Sequence, residues 1–144
     1  REERLSDRVV EFGMINPAFA MRPSRYVWST TTRPGWFLFN GFVRHDTRTG
    51  EEDVYRLPEG VYASESPIVP KKGATREDEA YLVTFLIDEN SGSSHCAILD
   101  AGDIAKGPIC RMALPHKISS GVHSTWVEHD QLDRAAQWRR TALA

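Results

Sequence analysis

The apolar residues of this chain fall in short runs, each ended by turn residues, and this pattern constrains its fold more than any other feature. Runs of this length, interrupted by Gly, Pro, Asn, Asp and Ser, are typical of antiparallel β-sheets rather than of helices. We expect strands at residues 9–12, 25–28, 36–44, 53–56, 81–87, 96–99 and 109–114. The sequence therefore predicts an all-β fold.

Two of the predicted turns share one pattern. Residues 46–50 read DTRTG and residues 88–92 read DENSG, so both match D-x-x-[TS]-G, and each lies between two apolar runs. An Asp at the start and a Gly at the end favour a hairpin turn that contains a left-handed residue. Hairpins repeated in this way favour a propeller or a sandwich over a barrel of long strands.

The last part of the chain has a different composition. Residues 130–144 are rich in Gln, Leu, Arg and Ala, with Asp130 at the start and arginines later, as the helix dipole favours. We expect an amphipathic helix here, and treat residues 129–144 as a structural tail after a β region at 1–128. The packed side of this helix is expected to consist of Leu132, Ala135, Ala136 and Trp138.

Composition and charge exclude several classes of function. The chain has 144 residues, a formal net charge of −2 and a pI of about 6.2, which describe one ordinary domain or a piece of one and argue against a nucleic-acid binder. The two cysteines are too few for a disulfide scaffold, and no secretion signal opens the chain, so a reducing cytoplasm is the expected location. Because the first residue is Arg1 rather than Met, we expect a fragment of a longer protein.

The histidines carry no familiar metal motif. His123 and His129 are six residues apart, which places them far apart in angle on a helix and about 20 Å apart on a strand, so they cannot hold one ion together. His45 and His95 are predicted to lie beside turns, and His116 in a loop, where each would be solvated.

Three other residues have more specific surroundings. His123 lies among small residues and beside Trp126, so it is either a structural histidine or a residue of a dry, closely approached site. Glu11 and Glu65 lie in apolar segments, where a carboxylate is costly to bury without a partner. Each is either an edge-strand residue in water or the acceptor of a hydrogen bond from a metal-bound imidazole.

Five segments, in this order, resemble motifs of the carotenoid cleavage oxygenase family, which includes the retinal pigment epithelium isomerase and the bacterial lignostilbene dioxygenases. They are EFGMIN at 11–16, LPEGVYASE followed by PIVP within 57–70, EDEAYL at 77–82, AILDA at 97–101, and LP with GVHSTW within 114–126. Each motif is weak alone, but the five in the family's order are specific. The resemblance covers most of the chain.

The resemblance implies a fold, a cofactor and a set of site residues. The family has a seven-bladed β-propeller with Fe(II) on its axis. Four histidines hold the iron, and glutamates orient three of their imidazoles. It cleaves a conjugated C=C bond of an apolar substrate with O2. By motif, His123 would be an iron ligand, Glu11 and Glu65 would orient iron-bound imidazoles in support of catalysis, and Phe12 would line the substrate cavity. Some relatives contact membranes peripherally, which the resemblance extends to the full-length protein.

The chain also departs from the family pattern. Gly13 and Met14 stand where Pro is usual, Ala80 replaces a turn Gly, and Ser124 replaces the Gly after the ligand. The other three ligands have no counterpart here, so we expect the C-terminal part of an oxygenase, about two blades with a short C-terminal helix, inactive alone. Two alternatives stay open: a metal-free β-sheet binding module, and a glycosidase-like domain that uses Glu11 and Glu65 as acid and base.

Overall fold

Two antiparallel β-sheets and one helix make up the computed structural model, which describes residue 4 and residues 6–142. The first sheet is a four-stranded meander whose strands pair in chain order. Its strands are β1 (Val10–Met14), β2 (Tyr26–Thr31), β3 (Gly41–Asp46) and β4 (Glu52–Arg56).

The second sheet has five strands, with the long β7 at its centre. Its order is β5-β7-β8-β9, and β6 also pairs with β7, so that β5 and β6 lie end to end along one side of β7. The strands are β5 (Val61–Ala63), β6 (Ile68–Pro70), β7 (Ala80–Asp88), β8 (Ser93–Asp100) and β9 (Pro108–Ala113). The all-β expectation is therefore confirmed, with single 3₁₀ turns at Pro17–Phe19 and Ile104–Lys106.

One predicted strand is only half right. Segment 36–44 forms a strand only from Gly41 onward, because residues 36–40 belong to a loop that begins at a turn over Pro34 and Gly35. The hydroxyl of Thr32 donates to two carbonyl oxygens inside that loop, which fixes it away from the sheet ladder. The short strands β5 and β6 were not predicted.

The two D-x-x-[TS]-G turns form as expected. Asp46 Oδ1 accepts the backbone N–H groups of Arg48 and Thr49, and Gly50 takes a left-handed φ of 75° that closes the hairpin. The turn at 88–92 repeats the same carboxylate cap, and its glycine has a φ of 67°. The shared sequence pattern therefore reports a shared turn geometry.

The core lies between the two sheets. The indole N–H of Trp28, a fully buried residue of β2, donates to the backbone oxygen of Ala101 beyond β8 at 2.8 Å. A further link is the isolated bridge between Phe39 and Ala63, which joins the loop before β3 to β5. Other buried members of this core are Phe42, Leu57, Val61, Ile68, Ala80, Leu82, Leu86, Ala97, Leu99 and Ile104.

The helix α1 runs from His129 to Ala142, as the sequence predicts, but its expected packed side is wrong. Leu132 is 55% exposed, Trp138 is 70% exposed, and the alanines between them are exposed as well. The helix follows a largely exposed segment, and these apolar residues of the helix are exposed as well. Within the described residues, no helix combines the length and the apolar character that crossing a membrane requires.

Candidate metal-binding site

A buried carboxylate lies at the break between β5 and β6. Glu65 follows β5 within the second sheet, and its side chain is only 8% exposed. Two serines fix the backbone here: Ser64 N donates to the carbonyl oxygen of Phe85 on β7, and the Ser66 hydroxyl donates to the carbonyl oxygen of Ser64. A carboxylate held this far from water needs a polar partner.

An imidazole supplies a partner for this carboxylate. His123 lies in the irregular segment between β9 and α1, and its Nδ1 is 3.4 Å from Glu65 Oε2. The side chain of His123 is 82% exposed, and its Nε2 has no hydrogen-bond partner among the described residues. The imidazole is therefore backed by a carboxylate on one nitrogen and open on the other, which is the arrangement of a metal-ligating histidine.

Ser124 attaches the histidine segment to the same glutamate by two hydrogen bonds. Its backbone N–H donates to Glu65 Oε2, and its hydroxyl donates to the backbone oxygen of Glu65 at 2.8 Å. Most of the segment around it is exposed, whereas Ser124 is half-buried. The position of His123 is thus set by its neighbour as much as by its own side chain.

Aromatic rings cover one side of the imidazole. The ring of Phe12 meets the ring of His123 edge-on at a centroid distance of 5.5 Å, and meets Phe39 at 5.4 Å. Phe12 lies in a β-bulge of β1 with a left-handed φ of 52°, an unusual conformation for a residue with a bulky side chain. The structure therefore brings together three of the positions that the resemblance implies: Phe12, Glu65 and His123.

Glu11 is not joined to this cluster by any hydrogen bond or ion pair. It precedes Phe12 on β1, is exposed, and its carboxylate has no partner among the described residues. Only its backbone oxygen is engaged, by the hydroxyl of Thr30. Glu11 lines a cavity together with Phe12, so it lies at the same end of the first sheet.

The expectation that His45 lies beside a turn is confirmed, but the expectation that it is solvated is wrong. His45 lies near the end of β3 and is buried, because it pairs with Glu52 across the hairpin, with Nδ1 3.2 Å from Oε1 of Glu52. His95 lies within β8, half-buried, with Nδ1 3.3 Å from a guanidinium nitrogen of Arg111. His116 is exposed in a loop, as expected.

The described residues hold no cluster of three or more His, Cys, Asp or Glu side chains that could bind an ion by itself. Sequence reasoning also missed the aromatic loop that extends the ring cluster. Phe37 packs on Phe39 at 6.2 Å, and Trp36 lies beside them in the same cavity. The signal for this loop was the W-F-x-F run directly after a Pro-Gly turn, which was interpreted as part of a strand.

This β-sheet fold is shared with oxygenases of known structure. The cobalt-substituted apocarotenoid oxygenase (ACO) of Synechocystis superposes with a TM-score of 0.79 at 26% identity, over 86% of this chain and 26% of that one. The lignostilbene dioxygenase of Pseudomonas brassicacearum shares the fold, with a TM-score of 0.77 at 23% identity over 85% of this chain and 28% of that one.

Residues 1–128 match the family model described as retinal pigment epithelial membrane protein, and the chain belongs to that family. It is 31% identical to carotenoid 9,10(9′,10′)-cleavage dioxygenase 1 of Arabidopsis thaliana, over 91% of this chain and 26% of the relative. It is 28% identical to isoeugenol monooxygenase of Pseudomonas nitroreducens, over 88% of this chain and 29% of the relative. The chain thus spans about a quarter of the length of the curated relatives it matches.

Proposed function

We propose that this chain is part of a non-haem Fe(II) dioxygenase that cleaves a conjugated C=C bond of a carotenoid, apocarotenoid or stilbene with O2. The observation that carries the proposal is the exposed imidazole of His123, whose Nδ1 lies 3.4 Å from the buried carboxylate of Glu65. The names of the relatives, which include carotenoid cleavage dioxygenases and a resveratrol cleavage oxygenase, support the kind of reaction.

The chemistry of His123 and Glu65 fits one of several protein ligands of an iron ion. A neutral imidazole is a suitable ligand for Fe(II), and a carboxylate that accepts Nδ1–H fixes the tautomer in which Nε2 is free to bind. Among the described residues His123 is the one imidazole backed by a buried carboxylate and open at its other nitrogen. The remaining ligands are expected from parts of the protein outside this chain, and the chain alone is expected not to retain iron.

Bound Fe(II) would supply the redox chemistry with dioxygen. The residues of this chain have other tasks. Glu65 faces Nδ1 of His123 and orients the ring, while Ser124 fixes the histidine segment to the backbone of Glu65. Phe12 contacts the imidazole edge-on and packs against Phe39, and the two rings offer apolar surface to a conjugated substrate. In this proposal Glu11 orients a second imidazole, contributed from outside the chain.

We propose that the two sheets are two of the seven blades of a propeller and that α1 follows the second of them. Support comes from the meander order of the first sheet and from the single buried core that residues of both sheets share. In the proposed propeller, Glu11, Glu65 and His123 would face the ligands contributed by other blades. A two-glutamate hydrolase receives no support, because the Glu65 carboxylate is engaged by Ser124 and faces His123.

The test is metal content and turnover in the protein expressed from its complete reading frame. The variants are His123→Ala and Glu65→Gln, and the matched control is His116→Ala, an exposed loop histidine seven positions from His123. We expect His123→Ala to lose iron and all cleavage, Glu65→Gln to weaken metal binding by about 10–100-fold, and the control to match wild type. Elemental analysis and detection of carbonyl products provide the readouts. Full iron occupancy in His123→Ala would overturn the proposal.

A further inference from the structure

The segment that carries His123 crosses the full width of the second sheet. It leaves β9 after Ala113 and brings His123 to Glu65, which follows β5 at the opposite side, since the strand order is β5-β7-β8-β9. Neighbouring strands lie about 4.8 Å apart, so this crossing covers about 14 Å. The chain from Leu114 to His123 can extend about 30 Å. Because the histidine segment, residues 114–124, is longer than its path requires, its contacts along the way decide where the imidazole lies.

Ser94 contacts this segment midway along its path. Ser94 lies on β8, and only 1% of it is exposed. Its backbone oxygen accepts the N–H of Leu114 at 2.8 Å, and its hydroxyl oxygen accepts the N–H of Ile118 at 3.1 Å. The first bond extends the pairing of β8 with β9 by one residue, whereas the second holds the chain four residues further on. The hydroxyl therefore fixes the segment on β8 after β9 has ended.

A second contact holds the segment at the other side of the sheet. Ser124 bonds to Glu65 through its amide and its hydroxyl, directly after His123. Within the described part of the chain, residues 119–122 make no hydrogen bond with the sheet. The path to His123 therefore has two anchors, the Ser94 hydroxyl on β8 and Glu65 beyond β5, with only exposed or half-buried residues between them.

The Ser94 hydroxyl favours this position of the imidazole by shortening the free chain. With the hydroxyl in place, the chain between the anchors runs from Ile118 to Ser124; without it, the chain is free from Leu114 onward. Lengthening a free loop from about six to about ten residues makes its closure about twofold less frequent. If the segment leaves the sheet as one unit, the lost hydrogen bond contributes about a further fivefold. Opening at Ser124 should therefore become about two- to tenfold more frequent when the hydroxyl is removed.

We propose that Ser94 is a positioning residue for the metal site, because its hydroxyl holds the histidine segment on β8 so that His123 meets Glu65. Residues that orient a metal ligand commonly affect metal binding although they do not touch the metal. This inference rests on the proposed function, since it takes His123 as a ligand of iron. The anchoring of the segment is a property of this chain that can be measured without iron.

Amide exchange and iron release in the complete protein test the inference. The variants are Ser94→Ala, which removes the acceptor, and Ile118→Pro, which removes the donor and leaves the residues of the sheet unaltered. Ile118→Pro keeps the inference testable if Ser94→Ala does not fold. The matched control is Ser93→Ala on the same strand, since the Ser93 hydroxyl contacts that of Ser91 in the turn rather than the histidine segment.

Two readouts separate positioning from general support of the sheet. Exchange of the Ser124 amide in iron-free protein reports opening of the segment, and exchange of the Ser64 amide, which bonds to Phe85 within the sheet, reports opening of the sheet itself. The rate at which an excess of chelator removes iron reports the same opening of the segment in the loaded protein, because His123 can leave the iron only when the segment moves.

We expect Ser94→Ala to raise exchange at Ser124 about two- to tenfold and iron release by the same factor, and to leave exchange at Ser64 as in wild type. Ile118→Pro should raise the same two rates, and Ser93→Ala neither. An unchanged rate at Ser124, an equal rise at Ser64, or iron release that stays at the wild-type rate would each overturn the inference. If exchange at Ser124 rises but the wild type binds no iron, the proposed function is wrong and the anchoring of the segment stands.

Discussion

Removing the hydroxyl of Ser124 tests whether this residue holds the histidine segment on the second sheet. The hydroxyl donates at 2.8 Å to the backbone oxygen of the buried Glu65, and the neighbouring amide donates to the Glu65 carboxylate. Ser124→Ala removes the first bond and leaves the second. A hydrogen bond of this kind contributes about 1 kcal/mol, which is about fivefold in an equilibrium constant. Local opening of the segment should become more frequent by that factor.

Amide hydrogen exchange reports this opening directly, because the Ser124 N–H is protected only while it is bonded to Glu65. We expect its exchange in Ser124→Ala to be about fivefold faster than in wild type. Thr125→Ala is the matched control, since that side chain is exposed and makes no hydrogen bond within the described part of the chain. Equal exchange rates in Ser124→Ala and the control would refute the reasoning, and the segment would then be held without the hydroxyl, by the backbone N–H of Ser124 and the histidine–carboxylate pair.

Three further predictions concern stability and are read by urea unfolding. Trp28→Phe should cost about 1–3 kcal/mol, because it leaves the buried backbone oxygen of Ala101 without its donor. Gly60→Ala should destabilise, since its φ is 77° and a Cβ would meet the asparagine side chain of the facing turn at 2.5 Å. The Arg25 guanidinium donates to Asp46 and holds the pKa of that carboxyl well below its usual range. The ionised Asp46 carboxylate therefore stabilises the fold fully above pH about 4, and this stabilisation is lost as the pH falls further. Asp46→Asn should make the free energy of unfolding less dependent on pH in this acid range.

Each of these variants has a matched control. For Trp28→Phe the control is Trp126→Phe, which removes an exposed indole donor and should change the free energy of unfolding by less than about 0.5 kcal/mol. For Gly60→Ala the control is Gly50→Ala. The added Cβ at Gly50 meets no atom within 4 Å at a φ of 75°, so this control measures the backbone strain without the steric clash that Gly60→Ala also has. For Asp46→Asn the control is Asp133→Asn, which changes an exposed helix carboxylate and should leave the pH dependence of the unfolding free energy unchanged. Equal effects in a variant and its control would contradict the mechanism assigned to that variant.

The parts of the fold that depend on local chemistry were predictable from the sequence. The two D-x-x-[TS]-G turns follow from an Asp that caps its own turn and a Gly that takes a positive φ, and both requirements lie within five residues. Segment 36–40 was not predictable in this way, because alternating aromatic residues have the same periodicity in a strand and in a ring-bearing loop. The burial of His45 depends on a partner across the hairpin, Glu52, which periodicity does not reveal.

The pairing of His123 with Glu65 could be expected only from the family resemblance. The two residues lie in segments that no shared periodicity links, and Ser124 is 59 positions from the glutamate it contacts. In its own sequence surroundings, each residue is equally consistent with an ordinary polar residue and with a site residue. The role of the Ser124 hydroxyl was missed for the same reason. Ser124 differs from the Gly that the family usually has at this position, but its hydrogen bond to Glu65 forms only when the folded chain brings this segment beside the end of β5.

The separation of these partners along the chain also has a consequence for the order of assembly. The carboxylate acquires its buried position only when β5 and β6 have paired with β7, and the histidine segment leaves the same sheet after β9. Long-range contacts of this kind form after the local hairpins, because closing the loop between them carries an entropic cost. During synthesis the imidazole therefore remains without its carboxylate until the sheet is complete. Under the proposed function, iron would therefore be bound only after this sheet has formed.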